Sequence, residues 1–204
     1  MIPYINEIHT KILKRKYVSN TTHIITRDDI VLNYKKYHIE KEEIFINNRK
    51  VLDIYDSNLG PVFVVDFKPH NDKLHIKLDY SNRIKLLKSF SLRPLIESVL
   101  KRYFNLEVSN FYTSINESYF DIDQDLFNNE ADKIVNILIK NINEYIKYGI
   151  DINHDKSTET TKIAGFSINN YFPYTISNLS ELTEFEISHY EFVNSKIRFY
   201  YDII

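Results

Sequence analysis

Apolar and polar positions along residues 1–79 alternate in short runs. "EIHTKILKRKYV" sets Ile8 and, after a slip of register, Ile12 against polar neighbours, the period of a strand with one buried face. "HIITRDDIVLNY", "KVLDIYDS", "PVFVVDF" and "LHIKLDY" are short and β-branched. "SNLGP" (Ser57–Pro61) and "KPHNDK" punctuate them as turns. Strands at this spacing predict a small barrel-like or curled sheet. From Leu92 the period changes. Leu95, Ile96, Val99, Leu100, Tyr103 and Phe104 form a one-sided helical stripe. Ser91 is the expected N-cap, which leaves Pro94 in the first turn, where its missing N–H breaks no intrahelical bond. "SNFYTSINESYFDIDQD" reads as strand, turn, strand. A second helix carries Ala131, Ile134, Val135, Leu138, Ile142, Tyr145 and Ile146, capped by Asn128 or Asn129 and ended at Gly149. After the polar "DINHDKSTETTK" come the strand-like "IAGFSINN", "FEISHYEF" and "SKIRFYYDI". The pattern predicts an α+β chain with a β-barrel-like domain over 1–79 and, over 80–204, a sandwich of a sheet and two main helices.

Composition narrows the chemistry. The 204 residues are 43% hydrophobic, enough for a proper core. Three glycines, Gly60, Gly149 and Gly165, cannot build a phosphate-cradling loop. The absence of cysteine removes disulfides, thiolate metal sites and a cysteine nucleophile. Seven histidines show no tight ligand spacing, although His70 and His75 lie close enough in sequence to meet. "DIDQD" (Asp121–Asp125) lacks the glycine and distal glutamate of a calcium loop. No secretory leader or membrane span is legible, and a cytoplasmic protein without a membrane partner is expected. The net charge of −2 leaves any nucleic-acid face to local patches. Two such patches stand out. "NRIKLLKSF" and "LKRYF" gather Arg83, Lys85, Lys88, Arg93, Lys101 and Arg102 around one helix with aromatics between them, and "KILKRKY" adds Lys11, Lys14, Arg15 and Lys16. Either patch can attract phosphate and stack on unpaired bases, or serve as an ordinary solvated face. Sixteen tyrosines and thirteen phenylalanines fit an aromatic core or a protein interface equally, and "RFYYDII" reads as an edge strand able to pair with another copy.

The order of these elements, with "HIKLDYSNRIKLLKSFSLRPLIESVL", "ESYFDID" and "ISNLSELTEFEI", resembles the editing domain of alanyl-tRNA synthetase and its freestanding AlaX-type relatives, a fold shared with the second domain of threonyl-tRNA synthetase. Asp79, Tyr80 and Arg83 match the family's Asp-aromatic-x-x-Arg run. The likeness runs from about Pro3 to Tyr200. In that family zinc is held by His-x-x-x-His on the helix and Cys-x-x-x-His near the C-terminus. The matching positions here are Phe90 and Pro94, then Tyr171 and Thr175, none a good zinc ligand. The family's glycine-rich loop is replaced by "LNYKKYHIEKEEIF". The resemblance therefore implies a zinc-free relative, without cofactor, that binds aminoacyl-tRNA acceptor ends rather than DNA. Metal-independent deacylation remains an open option around Ser89, Phe90, Ser91, Pro94, Tyr171, Tyr174 and Thr175, unless Phe90, Pro94 and Tyr171 fill the old site as core. Two other readings stay open: a non-catalytic scaffold or regulatory subunit using the fold for protein contact or self-association, and an enzyme with a new small-molecule substrate.

Overall fold

The computed structural model describes residues 4–124, 127–155, 157, 160–163, 165–168 and 174–203. The chain is mixed α+β, with strands predominating. It divides into two compact units, Met1–Asn33 with Lys41–Ile84, and Tyr34–Glu40 with Lys85–Ile204.

The first unit is a curled, open antiparallel sheet of seven strands: β1 (Glu7–Val18), β2 (Thr21–Thr26), β3 (Ile44–Ile46), β4 (Arg49–Lys50), β5 (Asp53–Ser57), β6 (Gly60–Val65) and β7 (Lys73–Leu78), in the order β4-β3-β7-β1-β2-β6-β5. The slip in the β1 alternation is physical. Residues Glu7–Lys11 pair with β7, and from Ile12 onward the strand pairs with β2 across a register shift between Ile12 and Lys14, a bulge that bends the strand and curls the sheet. Alternate side chains such as Ile24, Phe63, Val65, Leu74 and Ile76 point inward and are buried. The "SNLGP" turn joins β5 to β6, with Gly60 at φ 111°, a region open to glycine alone at low cost.

A charged pair, Arg83 and Glu42, sits in this interior. Arg83 is fully buried. Its Nε donates to Glu42 Oε1 at 2.6 Å, Nη2 to Glu42 Oε2 at 2.8 Å and Nη1 to the Ile5 carbonyl at 2.9 Å, with a further bond from Nη2 to the Ile30 carbonyl. The second Glu42 oxygen also accepts the Leu32 amide at 3.1 Å. The expected phosphate contact at Arg83 is thereby overturned: every face of the guanidinium is already held by the protein.

In the second unit, α1 (Tyr34–Tyr37) is a single helical turn. Helix α2 (Tyr80–Phe104) supplies the unit from Lys85 onward. Strands β8 (Val108–Tyr112) and β9 (Ser118–Ile122) precede helix α3 (Asn128–Tyr148). The short strands β10 (Ile152–Asp155), β11 (Thr160–Ile163) and β12 (Phe166–Ile168) form their own sheet. Strands β13 (Phe185–Val193) and β14 (Lys196–Ile203) complete a four-stranded sheet ordered β13-β14-β9-β8. Hence β14 is an inner strand bonded on both sides, not the edge that "RFYYDII" suggested. Its inward rings, Phe199 and Tyr201, join Phe111, Phe120 and Phe185 in the core, with Phe120 and Phe199 stacked at 5.0 Å. Helix α3 docks on the sheet through Asn143, whose side chain donates to the Phe185 carbonyl at 2.9 Å and accepts its amide at 2.8 Å.

The helix termini differ from expectation in two places. Helix α2 begins twelve residues before Leu92, the expected start, and Asp79 caps it by accepting the Asn82 amide at 3.1 Å. Ser91 is therefore mid-helix and Pro94 interior. A proline there costs roughly 3 kcal/mol. Leu86, Leu87, Phe90, Leu92, Leu95, Ile96, Val99 and Leu100 are all fully buried, each worth about 1.5–3 kcal/mol, so burial on all sides outweighs the break. The stripe is not one-sided, because the helix is a core element. At α3 neither Asn128 nor Asn129 caps; Phe127 holds that position, and its amide is taken by Glu130 Oε2 at 2.9 Å. Gly149 ends the helix in the left-handed conformation as expected. A Cβ there would lie 3.3 Å from both Asn178 Oδ1 and Ser180 Cβ.

Replacing Arg83 with leucine strands the Glu42 carboxylate in the interior, and the expected loss of stability is about 3–5 kcal/mol, read by urea unfolding. An Arg83→Met/Glu42→Leu pair recovers only part of it, since the Ile5 and Ile30 carbonyls and the Leu32 amide stay unpartnered. A wild-type midpoint in Arg83→Leu refutes the assignment.

Candidate functional site

Helix α2 and the segment leading to β13 bring the sequence-predicted corner together. The Phe90 ring is fully buried. It meets Tyr37 edge-on at 5.8 Å and Tyr174 at 6.4 Å, while Tyr37 and Tyr174 meet at 5.2 Å and 82°. Pro94 is buried beneath them along the helix. The Ser91 hydroxyl donates to the Leu87 carbonyl at 2.6 Å and accepts the Ile176 amide at 2.8 Å, which seats the 174–176 segment against the helix. Tyr171 lies outside the described residues.

Thr175, 1% exposed, touches a residue that sequence reasoning set aside. His154 Nε2 lies 2.8 Å from Thr175 Oγ1, and its Nδ1 lies 3.3 Å from Thr161 Oγ1. Burial holds the imidazole pKa below the ordinary histidine value, so the ring is neutral near pH 7. A neutral imidazole beside a hydroxyl is a base–nucleophile contact in form. Here the hydroxyl is buried and both ring nitrogens are engaged, so the contact acts as a bridge from β10 to β11 and to the 174–176 segment. His154 sits 21 residues before Thr175, and no local spacing advertises the pair. Tyr37 was equally invisible, in a segment read as a loop replacement. Phe90 and Pro94 offer no metal-ligating atom, and among the described residues no group of three or more His, Asp or Glu side chains is placed to share a cation. His75 does find a histidine, but it is His9, stacked at 4.6 Å across β1 and β7.

Ser89 belongs to a separate hydroxyl chain. Its Oγ lies 2.8 Å from Ser118 Oγ and donates to the Tyr201 hydroxyl at 3.2 Å, and Ser118 Oγ accepts the Ser114 amide at 3.1 Å. Burial pushes Tyr201 up to about 12, so the phenol stays neutral and cannot serve as a base. Ser89 therefore lacks an activating partner in this chain.

The basic residues of α2 do not make one face. Steps of about 100° scatter them around the helix, and their partners differ. Arg93 is half-buried, paired with Glu97 at 2.9 Å and 5.3 Å from the Phe111 ring. Lys101 pairs with Glu107 at 2.9 Å in solvent. Arg102 lies over the Tyr103 and Phe166 rings at 5.7 and 5.6 Å. Lys85 and Lys88 alone flank a cavity with Ser89. By contrast, Lys11, Lys14 and Lys16 stand exposed along β1, beside Arg15, which pairs with Asp72 at 3.2 Å. No protein-family model and no curated protein matches the chain. No helix among the described residues is long and apolar enough to cross a membrane.

The lowered His154 pKa fixes a sign. Below the unfolded value of 6.5 the unfolded chain takes up this proton before the folded one, so stability falls as pH drops through and below that value. Melting temperatures between pH 8 and pH 5 should decline less steeply in His154→Gln than in wild type. Parallel declines would show that the imidazole is not held neutral.

Proposed function

We propose that the chain is a zinc-free relative of alanyl-tRNA editing proteins that binds the aminoacylated acceptor end of tRNA without hydrolysing it. One observation carries the reading. The helix that carries Phe90 and Pro94, matched to the first zinc pair of that family, packs against the 174–176 segment, which carries Thr175, matched to its last ligand; the fourth matched position, Tyr171, lies outside the described residues. The element order, a curled sheet before the helix, a strand pair and long helix after it and a closing hairpin, supports the reading.

The chemistry at the corner favours binding over cleavage. Phe90 and Pro94 fill volume where a metal would polarise the ester, Thr175 is sealed from solvent, and among the described residues the hydroxyl partners of Ser89 are Ser118 and Tyr201, neither of them a base. RNA phosphates fall to the exposed half of β1. Lys11, Lys14 and Lys16 have no ion-pair partner among the described residues, and Tyr17 beside them is half exposed, with Lys68 over its ring at 5.2 Å, a surface suited to stacking.

Fluorescence anisotropy with charged and uncharged tRNA tests this. Binding should weaken steeply between 50 and 200 mM salt, as phosphate contacts require. The triple variant Lys11→Gln/Lys14→Gln/Lys16→Gln should lower the magnitude of the log–log salt slope by about two to three. The charged ester should decay in the presence of the protein no faster than in buffer. No binding at 50 mM salt, or accelerated deacylation, overturns the proposal.

A further inference from the structure

A cavity of about 310 Å³ opens beside α2, in the size range of small-ligand sites. Its walls come from the second unit alone: Lys85 and Lys88 on the helix, Ser89 and Ser118 on its floor, Thr183 before β13 and Asp202 at the end of β14. The charges on these walls are opposite and do not meet. No ion pair joins Asp202 to either lysine, and among the described residues neither lysine has a carboxylate partner. The negative wall is reinforced from the β8–β9 connection. Burial first, and then the Glu117 carboxylate, push the Asp202 carboxyl above its ordinary range, as expected for a carboxylate without a cation beside it. The floor is preorganised, because Ser89 and Ser118 are buried and fixed by the hydroxyl chain to Tyr201 and the Ser114 amide. The hydroxyl protons of this floor are taken up within that chain, so the floor fixes the shape of the cavity and leaves recognition to the charged walls.

A simple anion would satisfy the lysines and be repelled by Asp202; a simple cation would meet the reverse. A molecule carrying both charges satisfies both walls at once. We infer that this cavity binds a small zwitterion of the amino-acid class, its carboxylate toward Lys85 and Lys88 and its ammonium toward Asp202. The inference stands apart from the tRNA reading: it uses other residues and survives if tRNA does not bind.

The test is a titration of the full chain, at constant ionic strength, with glycine, β-alanine and γ-aminobutyrate, which separate the two charges progressively, and with acetate and methylammonium as single-charge controls. Amide chemical shifts or calorimetry give the affinity. At least one zwitterion should bind saturably and at least tenfold more tightly than either control. Lys88→Gln and Asp202→Asn should each weaken that binding tenfold or more with melting unchanged; should Lys88→Gln melt early, the exposed Lys85→Gln takes its place. Acetate binding as tightly as every zwitterion, no saturable binding by any of them, or variants with wild-type affinity would each overturn the assignment.

Discussion

The first unit depends on a single buried arginine. Taking a guanidinium out of water costs several kcal/mol unless the interior replaces its hydrogen bonds. Around Arg83 it does so from three stretches distant in sequence: the Ile5 carbonyl before β1, the Ile30 carbonyl after β2 and both oxygens of Glu42 before β3. Planarity matters here. A guanidinium presents its donors in a fixed fork that matches a carboxylate edge, and lysine could not reach all of these acceptors at once. The pair is thus less a source of net stability than a condition on how the strands close. Asp79, four residues earlier, caps the helix that delivers Arg83, so the Asp-aromatic-x-x-Arg run is a helix start followed by a plug.

The second unit uses the same device at lower cost. Arg198 on β14 donates twice to Asp121 on β9, at 2.7 and 3.0 Å, while lying 3.8 Å from the centre of the Tyr119 ring. Burial alone would raise the Asp121 carboxyl; the bonds from Arg198 and Asn110 outweigh it and hold the pKa below its ordinary value. Arg198 keeps part of its surface in water, so its desolvation is smaller than that of Arg83. The Arg83 pair cross-links segments outside the strands, whereas Arg198 and Asp121 face each other in the β9–β14 ladder and reinforce its register.

Much of this was legible in the sequence, where the physics is local. Period-two alternation located the strands, the "SNLGP" turn and Gly149 declared themselves through backbone conformation, and the β1 slip marked a real bulge. What failed was long-range. Charge on a side chain does not say whether it meets solvent or a carboxylate 41 residues away, so Arg83 read as a phosphate contact. Ser91 has the composition of an N-cap, but Pro94 signalled a helix start that tertiary burial overrode. The closing segment looked like an edge because only topology tells an inner strand from an outer one. At the candidate corner, Phe90, Pro94, Tyr174 and Thr175 were legible as positions, whereas Tyr37 and His154 were not, since both reach the corner by folding rather than by spacing.

The two polar centres of the second unit share a limitation that constrains function. At the corner, a neutral imidazole meets a hydroxyl that solvent cannot reach. At the cavity, the Ser89 and Ser118 hydroxyls are buried and bonded to one another and to a phenol raised to about 12. Nucleophilic catalysis needs access and activation at one atom, and the Thr175, Ser89 and Ser118 hydroxyls are all buried. Moving either toward catalysis would require breaking a bond the core uses: the His154 bridge between β10 and the segment against α2, or the Ser89–Ser118–Tyr201 chain joining α2 to β9 and β14. The fold thus uses these buried polar groups to hold its shape, while Lys85, Lys88 and Asp202 at the cavity and Lys11, Lys14 and Lys16 on β1 have no ion-pair partner among the described residues.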